Sequence, residues 1–305
     1  MRIIFMGTPD FAVASLEALI QSGEQVVAVV TVPDKPAGRG QKIQESAIKI
    51  YATQHHIPVL QPVKLRDEGF LAELKNYQAD LQVVVAFRML PEVVWNMPKY
   101  GTINVHASLL PQYRGAAPIN HVIMNGEKES GVTTFLLQHE IDTGNILLAE
   151  KVAIRETDTA GDLHDNLMHA GARTLLQTIK ELKAGTLQPK SQEDMVPTTA
   201  LKHAPKIFKD DCKINWDQST DVVYNFIRGL SPYPTAFTTL NDKVLKIYKT
   251  EKEKMATVTV PGTVETDQKN YLKFATRDGY ISVSELQLEG KKKMNVVDFL
   301  KGYRF

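Results

Sequence analysis

The chain contains one cysteine, Cys212, in 305 residues. An intramolecular disulfide is therefore excluded, and a lone thiolate cannot build a metal site by itself. A reducing compartment is the expected setting. Long apolar runs are also missing: no stretch of about 18 uninterrupted apolar residues occurs, so no membrane-spanning helix is expected. The opening segment Met1–Gly7 is too short an apolar run for an export signal, and Thr8-Pro9-Asp10 interrupts it. A cytoplasmic location is expected. Charge of one sign is lacking too. Lys+Arg number 36 against 35 Asp+Glu, a net of +1 that at face value argues against a polyanionic partner. With 43% hydrophobic and 23% charged residues, global disorder is excluded, and the length suits two domains of about 150 residues.

The balance of charge is an average over unlike parts. Residues 1–205 carry 19 basic and 22 acidic side chains, a net of −3, whereas residues 206–305 carry 17 and 13, a net of +4. Such a split directs attention to an anionic partner for the C-terminal part, although an unevenly charged solvated surface would look the same.

Glycine-rich phosphate loops are absent. The first apolar run ends at Gly7-Thr8-Pro9-Asp10-Phe11, with one glycine and a proline that removes an amide donor. The dinucleotide fingerprint G-x-G-x-x-G needs three glycines, so a nicotinamide enzyme is excluded. No G-x-x-x-x-G-K-[ST] occurs, which sets aside a P-loop nucleotidase.

Apolar segments alternate between strand and helix character through the first half. Arg2–Met6, Val26–Thr31, Leu81–Phe87 and Thr102–His106 read as buried strands. Phe11–Ser22, Glu45–His56 and Pro91–Asn96 read as helices between them. Gly131–Gln138 and Ile146–Ile154 look like further strands, and the spacing of Leu163, Leu167, Ala170, Leu175, Ile179 and Leu182 predicts a helix over 158–183. That alternation predicts an α/β fold with a doubly wound sheet over residues 1–185. Residues 186–205 lose periodicity and carry Pro189, Pro197 and Pro205, the composition of a linker. Residues 206–305 then show short strands at Val244–Tyr248, Thr257–Val260, Tyr271–Ala275 and Tyr280–Leu288 with a helix at Thr220–Gly229. A small, mostly β, barrel-like domain is expected there.

The chemically informative stretch is Asn104-Val105-His106-Ala107-Ser108-Leu109-Leu110-Pro111. Asn104 and His106 are two apart and share one face of a strand, near the end where open α/β sheets place their sites. Polar groups on an apolar strand are costly unless satisfied, so a core Asn and His bonded to backbone would explain the pair by itself. Glu140-Ile141-Asp142-Thr143-Gly144 adds a carboxylate before a turn glycine. Together the three side chains can hold an oxyanion, move a proton and set the charge of an imidazole. A metal on His106 and Asp142 lacks a second His or Cys at ligand spacing, and a serine hydrolase on Ser108 lacks the G-x-S-x-G elbow. No metal is expected.

These residues resemble the folate-dependent formyltransferases, whose signature is similar to Asn104-x-His106-x-Ser108-Leu109-Leu110-Pro111 with Asp142-x-Gly144 downstream. Gly7-Thr8-Pro9-Asp10-Phe11, the segment from Pro33 to Gly40, Arg114-Gly115-Ala116-Ala117-Pro118-Ile119, Ser231-Pro232-Tyr233-Pro234 and Gly290-Lys291-Lys292-Lys293-Met294 are similar to the branch of that family acting on methionyl-tRNA. The resemblance covers essentially the whole chain. It implies a Rossmann-like doubly wound formyltransferase domain followed by a small OB-like β-barrel domain that binds tRNA. It also implies transfer of a formyl group from 10-formyltetrahydrofolate to the α-amino group of initiator methionyl-tRNA. No obligate protein partner is evident, and a monomer is expected. Asn104, His106 and Asp142 would be catalytic. Ser108, Leu109, Leu110 and Pro111 would carry the folate, with Met89 and Leu90 as the apolar wall of its pocket. Here the chain departs from the family: Ala86-Phe87-Arg88-Met89-Leu90-Pro91 is one residue shorter than the usual stretch and lacks its glycine, leaving the role of Arg88 open. Lys35, Arg39 and Lys42 would meet the acceptor end of the tRNA, with Arg39 the main contact. Lys206, Lys209, Lys291, Lys292 and Lys293 would track phosphates, although a run of lysines is often only a solvated face. Two other readings stay open: the same chemistry on an amino-sugar nucleotide, and a non-catalytic RNA-binding protein on the same scaffold.

Overall fold

The computed structural model describes residues 1–37, 42–195, 200–256 and 259–304. Arg39 lies outside the described residues, as do the first two residues of the strand expected at Thr257–Val260. The chain forms two compact units. The first comprises Met1–Arg114, Ser130–Val152 and Asp165–Lys202, and the second Gly115–Glu129, Ala153–His164 and His203–Phe305.

The first unit begins with β1 (Arg2–Gly7), α1 (Asp10–Gln21), β2 (Gln25–Val30), the short pair β3 (Lys35–Ala37) and β4 (Lys42–Gln44), α2 (Ala47–Gln54) and β5 (Val59–Leu60). It continues through α3 (Glu68–Asn76), β6 (Leu81–Val85), α4 (Glu92–Trp95) and β7 (Thr102–His106). Along the chain then follow β8 (Arg114–Gly115), α5 (Pro118–Met124), which belongs to the second unit, β9 (Glu129–Leu136), β10 (Ile146–Ala153) and α6 (Ala160–Ala184), whose first turn also falls in the second unit. Seven strands form one sheet in the order β10-β9-β7-β6-β1-β2-β5. The pairs β5–β2, β2–β1, β1–β6 and β6–β7 are parallel, while β9 runs antiparallel to β7 with His106 opposite Thr133. Strand order reverses between β1 and β6, the switch point beside which open sheets leave a crevice at the carboxyl ends of their strands.

Local chemistry accounts for these elements. All five residues of β6 are buried, as a parallel strand covered on both faces requires. Ser46 and Asp67 cap α2 and α3 by accepting from the Lys49 and Phe70 amides. On α6, Gly171 lets the helix approach Val105 of β7, and Thr178 shares a 2.8 Å hydrogen bond with Thr134 of β9. The strands that carry the polar residues are thereby clamped from behind.

In the second unit, β11 (His203–Ala204) leads to α7 (Thr220–Gly229), β12 (Ala236–Leu240), β13 (Lys243–Lys254), β14 (Val264–Thr266), β15 (Leu272–Thr276), β16 (Gly279–Leu288), β17 (Met294–Asn295) and α8 (Val296–Gly302). The strand path is β12-β13-β16-β15-β14 with β17 on β16, an antiparallel sheet curled into a half-barrel. Two register shifts between Ile247 and Thr250 bend β13, as bulges do. Trp216 stacks on Phe274 at 4.5 Å inside the core. The sequence puts its boundary after residue 185, whereas the compact units are interleaved along the chain. The reason lies in α5: Asn120 donates to the Gly229 carbonyl at 2.8 Å, and a Cβ on Gly229 would lie 2.5 Å from Met124, so α5 packs tightly on α7.

One turn here has a testable acid response. The Asp267 carboxylate accepts from the Asn270 amide, and also from the Lys269 and Tyr271 amides and the Asn270 side chain, which holds it far below its ordinary value of 3.8. A depressed carboxyl stabilises the fold above that ordinary value, and the contribution is lost as pH falls toward the folded value. Asp267→Ala is expected to lower the thermal midpoint at pH 7. Scans at falling pH should show the gap to wild type closing below 3.8.

Candidate active site

Asn104 and His106 lie on the last three positions of β7, with Val84 of β6 and Phe135 of β9 flanking Asn104. The His106 Nε2 is 3.0 Å from the Tyr113 carbonyl oxygen. A carbonyl only accepts, so Nε2 carries the hydrogen. That leaves Nδ1 as the nitrogen that gains or loses a proton, and it stands 3.9 Å from Asp142 Oδ2. Both side chains are largely removed from solvent, at 8% and 12% exposure, so the attraction between an imidazolium and a carboxylate is weakly screened. Asn104 is half-buried, and its amide makes no hydrogen bond among the described residues.

The Asp142 loop is shaped by its own backbone. Asp142 has φ 56, a left-handed conformation that Asp tolerates better than most residues. A Cβ on Gly144 would lie 1.7 Å from the Leu136 carbonyl oxygen, so only glycine fits there. The Asp-x-Gly pattern thus has a steric cause: the loop turns at Asp142 and presses Gly144 against β9. Gln192 finishes the job. Its Nε2 donates to the carbonyls of Asp142 at 2.9 Å and Gly144 at 2.7 Å, and its Oε1 accepts from Arg114 Nε and Nη2 at 3.1 and 2.6 Å.

Ser108, Leu109, Leu110 and Pro111 form the loop after β7. The Ser108 hydroxyl donates to the Gln112 carbonyl at 2.7 Å, and Thr133 of β9 bonds both the Ser108 carbonyl and the Leu110 amide. Ser108, Leu110 and Pro111 are buried, whereas Leu109 is half-exposed over Gly131, whose missing Cβ makes room for it. Met89 and Leu90 part company. Met89 is 72% exposed, while Leu90 joins the core with Ile4, Met6 and Val84. Arg88 donates to the carbonyls of Pro62 and Val63, and burial pulls its guanidinium below the ordinary value. It therefore ties the loop after β6 to the segment after β5. At the end of β1, the buried Thr8 hydroxyl has no hydrogen-bond partner among the described residues.

The basic residues are placed differently. Lys35 starts β3 and is exposed, and Lys42 starts β4. In the second unit, Lys206, Lys209, Lys291 and Lys292 are exposed. Lys293 is committed locally, to Glu285 at 2.6 Å and over the Tyr248 ring at 4.8 Å. Among the described residues no helix is long and apolar enough to cross a membrane.

The sequence reading missed Gln192, Arg114 and the Tyr113 carbonyl as parts of this site. Gln192 sits in a stretch whose prolines read as linker, and a carbonyl carries no signal in a sequence at all.

The doubly wound sheet carries Asn104 and His106 at the end of a central strand with Asp142 beside His106, an arrangement with the groups that a group-transfer enzyme needs. Residues 1–179 match the family model described as formyl transferase, and residues 206–304 match that of the formyl transferase C-terminal domain. The chain belongs to the formyltransferase family. It is 55% identical over 309 residues to the methionyl-tRNA formyltransferase of Azobacteroides pseudotrichonymphae, covering 99% of this chain and 95% of the relative. It is 51% identical over 308 residues to that of Bacteroides fragilis, with the same coverage. Among solved structures, HypX from Aquifex aeolicus in complex with tetrahydrofolic acid aligns with a TM-score of 0.67 at 20% identity, over 99% of this chain. The chain spans about half the length of that protein (48%), and the likeness is one of fold.

Proposed function

We propose that this chain transfers the formyl group of 10-formyltetrahydrofolate to the α-amino group of initiator methionyl-tRNA, and so acts as a methionyl-tRNA formyltransferase. The observation that carries this reading is identity above one half, over nearly the full length of both partners, to relatives of that name. An enzyme of one-carbon transfer is the only reading that also gives the Asn104, His106 and Asp142 grouping a purpose. The non-catalytic alternative leaves it idle.

10-Formyltetrahydrofolate supplies an activated formyl group when bound. The exposed thioether of Met89 and the half-exposed Leu109 offer apolar surface suited to a pterin, with Leu90 backing the wall and the Ser108–Pro111 loop as its rigid rim. An amine adding to a formyl carbon leaves negative charge on oxygen and a surplus proton on nitrogen. The Asn104 amide, which makes no hydrogen bond among the described residues, would donate to that oxygen. His106, with Nε2 held by Tyr113, would take the proton on Nδ1, with Asp142 stabilising the resulting imidazolium; collapse of the adduct would then break the bond from the formyl carbon to the folate nitrogen, which takes up a proton as tetrahydrofolate leaves. A spacing of 3.9 Å is an ion-pair distance rather than a direct hydrogen bond, so a proton relay between the two would run through a bridging water.

Residues 1–185 would house this chemistry, with 186–205 as the connector and residues 206–305 as the tRNA-binding part. Lys35, Lys42 and Arg39 would approach the acceptor end, Arg39 by its bidentate fork. Lys206, Lys209, Lys291 and Lys292 would track phosphates, Lys293 less freely because Glu285 holds it. A monomer in the cytoplasm fits a task on charged tRNA. The test supplies 10-formyltetrahydrofolate with either charged initiator tRNA or an amino-sugar nucleotide and scores the N-formyl product. N-Formylmethionyl-tRNA is expected. Product on the sugar alone would overturn the choice of acceptor, and no product on either would overturn the enzymatic reading.

A further inference from the structure

We propose that Gln192 is a positioning residue for the transfer reaction: its side-chain amide locks the Asp142 loop to Arg114 and thereby holds the Asp142 carboxylate against His106. The inference rests on the catalytic role given above to Asp142 and extends it to a residue that touches neither substrate nor reacting atom.

The bonding of this amide is complete and has a fixed direction. Gln192 is 3% exposed, and a buried amide has two N–H donors and two acceptor sites to satisfy. Its donors go to the Asp142 and Gly144 carbonyls, and its oxygen takes two bonds from the Arg114 guanidinium. Carbonyls only accept and guanidinium only donates, so the amide cannot flip without losing all four bonds. The two bonds from Arg114 are charge-assisted and so the stronger kind.

The placement matters because of what surrounds Asp142. It occupies a left-handed conformation at φ 56, which costs energy unless its neighbours impose it. Leu136, where the loop begins, lies opposite Ile103, three residues down β7 from His106. The loop must therefore double back before its carboxylate can reach Nδ1. Gly144 pressed on the Leu136 carbonyl fixes one side of that return. Gln192 grips the Asp142 carbonyl itself and fixes the other. The segment delivering Gln192 is anchored in turn, because Lys190 and Ile146 exchange backbone hydrogen bonds of 2.8 Å. A stretch that looks like a connector is thus a strut of the site.

Gln192→Glu is the informative change. It keeps the acceptor toward Arg114 but turns two donors into lone pairs facing two carbonyls, which pushes the loop away. Displacement of a catalytic group by an ångström or so costs about 10²-fold in rate, so kcat should fall by about 10²-fold with KM for both substrates little changed. Gln192→Ala, which removes the amide without adding charge, is the second variant should the first not fold, and thermal midpoints are read on both. Each is then combined with Asp142→Asn. If Gln192 acts through Asp142, the double variant loses no more than Asp142→Asn alone, because residues acting as one unit are not additive. Wild-type kcat in folded Gln192→Glu or Gln192→Ala would overturn the inference. So would losses that multiply with Asp142→Asn, or a rise in KM matching the fall in kcat. Full activity in Asp142→Asn alone would instead remove the role of Asp142, and the inference with it.

Discussion

Alanine at His106 is expected to lower kcat by about 10²–10⁴-fold, the range lost with a general acid–base group. The geometry says why the effect should fall on chemistry rather than on binding. Nε2 is used in the fold, donating to the Tyr113 carbonyl, and Nδ1 is the nitrogen left to exchange a proton beside Asp142. Removing the ring takes away the proton acceptor that stands beside the largely buried Asp142 carboxylate. His106→Gln separates these roles. Its amide reaches the Nε2 position and can replace the donor toward Tyr113, but it cannot take up a proton near neutral pH. Steady-state kinetics should show kcat falling in both variants with KM for folate and tRNA little changed, and the thermal midpoint should suffer more in alanine than in glutamine. Retention of wild-type kcat by His106→Gln would show that the imidazole serves only as a hydrogen-bonding post.

The second large effect is expected at Gly144. A methyl group there would sit 1.7 Å from the Leu136 carbonyl oxygen, 2.9 Å from its carbon and 3.2 Å from a ring carbon of Phe135. Two of those atoms are backbone of β9, which is paired to the strand bearing His106. Such an overlap cannot be relieved by a side-chain rotation, so loop and strand must separate. Gly144→Ala should destabilise the chain by about 3 kcal/mol or more, at the upper end for overpacking. For a unit of this size that corresponds to about 10 °C in thermal midpoint. The separation also carries Asp142 away from His106, so kcat of the folded fraction should drop. A midpoint within about a degree of wild type, with full kcat, would show that the loop can absorb a side chain.

Much of this was legible from residue pattern alone. The helix expected at Thr220–Gly229 is α7 with the same limits, and the periodic stretch over 158–183 is α6 at Ala160–Ala184. Continuous apolar runs became the central strands β1, β6 and β7, because a strand buried on both faces leaves no room for alternation. Elements with weak apolar periods were harder to see. The short helix α5 starts at a proline and was not expected, and its packing on α7 interleaves the compact units. The strand expected at Val244–Tyr248 runs on to Lys254 as β13, because pairing with β16 carries it through a polar stretch in which Thr250 alone is buried.

The site divides in the same way. The two-residue spacing of Asn104 and His106 was enough to place them on one face of one strand, since side-chain direction alternates along any strand. The Asp-x-Gly pattern marked a turn with a carboxylate. Which nitrogen of His106 is engaged by the backbone, by contrast, depends on a carbonyl seven residues away, and the approach of Asp142 depends on a loop returning along β9. The grip of Gln192 joins residues 50 and 78 positions apart. Short-range periodicity encodes which face a residue occupies, and so the sequence by itself determined the class of fold and the identity of the three polar groups. Distances between groups far apart in the chain depend on backbone hydrogen bonds and steric contacts made only once the sheet has assembled, and these the tertiary structure alone decided.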